Sequence, residues 1–116
     1  MGNLFGTVKL EGLTSASGAV VELKNKYLNQ QSAHQLSLIP DGAATGTVPV
    51  LVRPKGAPAD YSEPLLERDG VTPVEIDLAA PATIVFPVGG IFIAIDAVVL
   101  DCTSVTGAFG AILESR

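Results

Sequence analysis

The chain has 116 residues, 47% of them hydrophobic and 16% charged, with seven basic residues against twelve acidic ones for a formal net charge of -5. That length supports one domain over residues 1–116, enough for a single core and too little for two. The basic residues Lys9, Lys24, Lys26, Arg53, Lys55, Arg68 and Arg116 are scattered, which argues against a nucleic-acid-binding face. Ordinary domains are about 25% charged, so the low charge here predicts surface that other protein chains cover.

In chain order, strand-like runs alternate with turn clusters, the pattern of an all-β antiparallel sandwich or jelly-roll-like fold with about seven or eight strands. Residues 4–11 partly alternate, Thr14-Ser15-Ala16-Ser17 reads as a turn, and residues 18–23 resume the strand, so the two runs predict a hairpin. The polar residues 25–34 predict an exposed loop, residues 33–39 a strand, and Pro40-Asp41-Gly42 a turn. Residues 46–53 are the clearest strand, and Pro49 within them lacks a ladder donor, which predicts an edge or a bulge. Residues 54–70, with Pro54, Pro58 and Pro64, predict a long ordered or partly ordered loop, of a size at which contacts are often made.

Residues 71–78 then alternate acidic and aliphatic positions, and residues 82–86 form an apolar strand. Val88-Gly89-Gly90-Ile91 predicts a hairpin turn. Residues 93–101 and 105–113 predict a last strand pair at the centre of the fold. A sustained helical period with a capping box is missing throughout. The apolar residues 82–100 are interrupted by Pro87, Gly89, Gly90 and Asp96, unlike the about 20 uninterrupted apolar residues of a spanning helix, so no membrane segment is expected. Residues 1–5 lack the pattern of a secretory signal, which predicts a protein made and kept in a cell's cytoplasm.

Candidate chemistry is sparse. Cys102 lies in an apolar run far from the one histidine, His34, so it reads as a small buried hydrophobe rather than a nucleophile. Asp60, Glu63, Glu67, Asp69, Glu75 and Asp77 match no calcium loop and read as a solvated face, with no metal expected. Asp96 and Asp101 are an odd number of residues apart, which places them on opposite faces of a regular strand. Gly107-Ala108-Phe109-Gly110 lacks the strand-to-helix context of a phosphate loop, so no cofactor is expected. Phe5, Phe86, Phe92 and Phe109 read as core, while Tyr27 and Tyr61 fall in loops and suit interface anchors.

The runs Gly46-Thr47-Val48-Pro49-Val50-Leu51-Val52-Arg53-Pro54-Lys55-Gly56, Ala82-Thr83-Ile84-Val85-Phe86 and Ile95-Asp96-Ala97-Val98-Val99-Leu100-Asp101-Cys102-Thr103-Ser104-Val105-Thr106-Gly107 resemble small β-sandwich virion structural proteins of tailed bacteriophages. The resemblance covers roughly the last seventy residues and is a pattern of strands and turns. It implies a non-enzymatic head decoration, or cement, protein on the capsid surface. Such a protein binds the major capsid protein lattice, stabilises it, and associates with itself as a dimer or trimer. A phage tail or head-to-tail connector component fits the same pattern, and a glycan-binding adhesion module is the alternative from another class. The contact residues expected are Leu4, Phe5, Tyr27, Arg53, Lys55, Tyr61 and Leu65, with Leu4 and Phe5 fitting a core strand equally well.

Overall fold

Short runs of valine, leucine and isoleucine, stiff at χ1 and separated by turn formers, pay little to extend and gain by packing one face. In the computed structural model, which describes residues 6–25, 27–28, 33–86 and 94–115, such runs form nine strands. They are β1 (Gly6–Leu13), β2 (Val21–Leu23), β3 (His34–Pro40), β4 (Thr47–Pro54), β5 (Glu63–Pro64), β6 (Glu75–Asp77), β7 (Ile84–Phe86), β8 (Ile95–Leu100) and β9 (Phe109–Ser115). Among the described residues the one helical element is a 3-10 turn, Ser15–Ser17, which Thr14 caps.

The strands build two antiparallel sheets. The first has the order β1-β9-β3-β7; the second has the order β2-β8-β4-β5, with β6 also paired to β4. Alternation decides what each sheet buries. Phe109, Ala111 and Leu113 of β9 and Leu36 and Leu38 of β3 point inward, where they join Leu23, Val48, Val50, Val52, Val98 and Leu100 of the second sheet in one core cluster. Full burial of each large aliphatic side chain contributes about 1.5–3 kcal/mol. The fold is therefore the all-β antiparallel sandwich that the strand pattern predicts.

Several local expectations are corrected. Strands β8 and β9 do not pair with each other: β8 lies between β2 and β4, and β9 between β1 and β3, so each is central in its own sheet. The connection between them crosses the sandwich and is pinned on the way, with Cys102 N–H donating to Gly18 O and Thr45 bridging Thr106. Glycine is required there. A Cβ on Gly46 would stand 2.3 Å from Ser104 O, and Gly107, at φ +90°, lies against Ala44. The predicted hairpin of residues 4–11 and 18–23 is also absent, because β1 joins β9 and β2 joins β8 in opposite sheets.

Of the two expectations for the strand holding Pro49, the edge is corrected, since β4 pairs with β8 on one side and with β5 and β6 on the other, while β4 does carry a register shift between Arg53 and Pro54. The proline is tolerated because it stands where β8 ends: its carbonyl accepts from Asp101 N–H, just past Leu100. Residues 54–70 are an ordered connection, as expected. They contain β5, and with the residues after them they form a hairpin arm held by the Leu66–Pro73 bridge and a Val74 N–H to Leu65 O bond. The polar segment 25–34 is not all exposed, for Leu28 and His34 are both buried. The predicted turn at Val88-Gly89-Gly90-Ile91 lies outside the described residues.

Leu113→Ala, which opens the core at the middle of β9, is expected to lower stability by about 2–5 kcal/mol. Val85→Ala on the opposite face of the same sheet should change it by less than about 0.5 kcal/mol. Urea midpoints of the two variants check the layering, and equal losses would contradict it.

Candidate functional site

The two outer faces of the sandwich are finished differently. On the second sheet, Ala97 and Val99 of β8 are fully buried although they lie outside the core cluster. Arg53 covers them: it stands opposite Ala97 on β4, and its guanidinium reaches Glu22 on β2. Because β8 separates those strands, the side chain must cross β8's outer surface. Its Nε donates to Tyr61 O at 2.9 Å, which straps the 54–62 connection onto the sheet, and Arg53 keeps only 3% exposure. Lys24 Nζ adds a 3.0 Å contact to the same carboxylate. The hydrogen bond from Arg53, then that from Lys24, holds the Glu22 carboxyl below its ordinary range, while burial opposes.

On the first sheet the outer face is open. Cross-strand register lays Thr7, Glu114, Gln35 and Val85 in one row and Lys9, Ile112 and Ser37 in the next, with Gly110 beside Ile39 beyond them. Val85 is 59% exposed and Ile39 48%. Ile112 is half-buried. Where Gly110 has no side chain, a hollow of about 590 Å³ opens, bordered by Ile39, Ile112, Lys9, Glu11 and Asp41. A smaller notch of about 110 Å³ lies at the other end of the face, between Gln35, Val85 and Glu114. An apolar floor with charged borders is the make-up of a protein contact surface.

A polar pin closes the end of the sandwich where this face begins. Nδ1 of His34 lies 2.8 Å from Ser115 Oγ, and Asn25 Nδ2 donates to that oxygen at 3.0 Å and to Gly6 O at 3.4 Å. The serine hydroxyl has two acceptor sites and one proton, so it serves Asn25 and the His34 ring together. Burial lowers the His34 pKa from its ordinary value.

The expected contact residues fall in different places. Leu4 and Phe5 lie outside the described residues. Arg53 and Leu65, each 3% exposed, are corrected from contact residues to structural ones: the first is sealed under its ion pair, and the second packs in the core. Tyr27 is half-buried against Gly6, where a Cβ would come within 2.5 Å of its ring. Lys55 is exposed, with its N–H donating to Ala94 O at 3.1 Å. Tyr61 is 44% exposed and its hydroxyl donates to Glu63, whose charge raises the Tyr61 pKa. None of the five described ones, Arg53, Leu65, Tyr27, Lys55 and Tyr61, lines the open face. Its residues Ile39, Ile112 and Val85 were missed, although the alternation of β3 and β9 marks Ile39 and Ile112 as outward.

Elsewhere, Cys102 is fully buried, and burial followed by the Asp101 charge raises its pKa. Asp96 on β8 accepts from Gly56 N–H at 3.0 Å, holding the turn that follows β4, and Asp101 accepts from Thr103 N–H at 3.0 Å within its own turn. Among the described residues no group of three or more histidine, cysteine or acidic side chains is placed to hold a metal, and no helix is long and apolar enough to cross a membrane.

With the geometry in place, comparison with known proteins finds little. No family model matches the chain, and no curated protein matches it. A solved structure is similar. It belongs to Bacillus endospore appendages, described as a novel family of disulfide-linked pili, and the likeness covers 96% of this chain and 85% of that one, at 13% identity and a TM-score of 0.48. At that distance it says nothing about what this chain binds.

Two outcomes follow from the polar contacts. Because folding depresses the His34 pKa, the unfolded chain takes up its proton first as pH falls, so this contribution to stability is intact above about pH 6.5 and is lost below it. The fall should precede the separate loss at lower pH, when the depressed Glu22 and Asp69 carboxyls protonate. Urea titrations from pH 8 to 3 on the wild type and His34→Gln check this, the first step vanishing in the variant. Glu22→Ala, which leaves the Arg53 guanidinium without its carboxylate, is expected to cost about 1–3 kcal/mol, read as a shift in urea midpoint.

Proposed function

We propose that this chain is a non-enzymatic structural protein that works by docking onto other protein subunits through the outer face of the β1-β9-β3-β7 sheet. The observation that carries the reading is the contrast between the two outer faces. One is closed by the Arg53–Glu22 strap, while the other presents Ile39, Ile112 and Val85 around a hollow. A face built on hydrogen-bonded strands loses little conformational entropy on binding, so even a modest apolar face gives useful affinity.

The specific form we propose is a capsid decoration protein of a tailed bacteriophage, resting on the resemblance of the strands around residues 46–56, 82–86 and 95–107. Its partner is then the major capsid protein lattice, and its location the virion surface. Selective binding to the assembled, expanded shell would stabilise that state by mass action, and many identical weak contacts would sum over the lattice.

Co-sedimentation of the purified chain with expanded phage heads lacking it tests both levels. Saturable binding that Ile39→Asp and Val85→Asp each weaken by at least about tenfold, a loss of about 1.4 kcal/mol, is the expected result. Binding unchanged by both substitutions but lost in Tyr61→Ala would move the contact surface to the second sheet. No binding by the wild type would remove the capsid role.

A further inference from the structure

The hollow beside Gly110 has a counterpart of opposite shape on the same chain. The hairpin arm that follows β5 ends in a tip ordered by its own hydrogen bonds: Glu67 N–H donates to Thr72 O at 2.7 Å and Gly70 N–H to Glu67 O at 2.9 Å. The Asp69 carboxylate accepts from Val71 N–H and Thr72 N–H, each at 2.8 Å, and from the Thr72 hydroxyl. Those bonds lower the Asp69 pKa and tie its carboxylate to the turn. Glu67, Arg68 and Asp69 are all exposed, but Glu67 and Arg68 keep side chains that the turn does not use, beside Val71 at 78% exposure. An apolar knob is thus held at the end of a preformed turn, with no loop left to order on binding.

The hollow offers the matching features. Its floor is apolar, formed by Gly110 between Ile39 and Ile112, and its borders carry Lys9 from β1 on one side and Asp41 past the end of β3 on the other. Lys9 also contacts Glu11 at 3.1 Å, but its side chain stays 58% exposed and available.

We propose that the arm tip of one copy seats Val71 in the hollow of a second copy of this chain, with Arg68 against Asp41 and Glu67 against Lys9. The hollow lies on the outer face of one sheet, whereas the arm springs from the β5 and β6 edge of the other, so the two surfaces are different parts of the molecule. The contact is heterologous, and repeating it builds a ring or an open filament rather than a symmetric pair. One valine and two exposed charge pairs make a small contact of the weak class, so association depends on concentration or on a lattice that aligns the copies. This inference rests on the reading of the β1-β9-β3-β7 outer face as a docking surface and names a second copy as one occupant.

Sedimentation velocity over a wide concentration range tests it. Wild type is expected to form species that grow beyond a dimer, while Val71→Asp and Ile39→Asp each stay monomeric. An equimolar mixture of those two retains one intact tip and one intact hollow, so it should stop at a dimer. Asp41→Arg should weaken association about fivefold, the size of one exposed ion pair, and Arg68→Asp in the same chain should restore it. A wild type monomeric at every concentration, a mixture that fails to pair, or association unchanged in Val71→Asp would overturn the proposal. If wild type is monomeric yet binds heads in a manner Ile39→Asp abolishes, the arm assignment falls and the docking surface stands. If Ile39→Asp alters neither association nor head binding, both fall.

Discussion

The placement of β8 and β9 in opposite sheets is the constraint on which the rest of the molecule depends. Consecutive strands in an antiparallel fold usually pair. Here the residues between them instead cross the sandwich, fixed by the Thr45–Thr106 bridge and by backbone approaches that only Gly46 and Gly107 allow. Each strand then becomes the centre of its own sheet. From that follows the single core between them, where Leu113 and Ala111 of one meet Val98 and Leu100 of the other in one cluster.

The same placement explains why the outer faces differ. Strand β8 carries apolar residues at consecutive positions, Ala97 to Leu100, so half of them point away from the core. Leaving Ala97 and Val99 in water would forfeit their burial, and the Arg53 side chain laid across them recovers it, its charge met by Glu22 and its Nε by Tyr61 O. Strand β9 alternates strictly, so its outer positions Gly110, Ile112 and Glu114 need no cover to keep the fold stable. That sheet can leave its outer face free for another protein. The polar pin of His34, Ser115 and Asn25 holds the margin of the same sheet, tying β3, β9 and the start of β1 to the connection after β2.

Sequence made the architecture legible at the level of strands and not at the level of partners. Alternation in β3 and β9 and the turn at Pro40-Asp41-Gly42 give the all-β class and most element positions. Pairing is another matter, because the periodicity of a strand says which face is apolar but not which sheet receives it. Residues 4–11 and 18–23 look like a hairpin until the capped turn at Thr14 carries the chain into the other sheet. Arg53 reads as a surface contact because arginine is rarely buried, and its burial depends on Glu22, distant in sequence and adjacent only once β8 lies between them. Val71 and Gly110 became informative only as shapes, one protruding and one absent.

The central claim is that protein contacts are made on the outer face of the β1-β9-β3-β7 sheet. Hydroxyl-radical footprinting tests it most directly, comparing the dilute free chain with the chain bound to expanded heads. The account predicts that Ile39, Ile112 and Val85 lose reactivity on binding while Tyr61, over the strapped face, keeps its own. Protection at Tyr61 with Ile39, Ile112 and Val85 unchanged would contradict it.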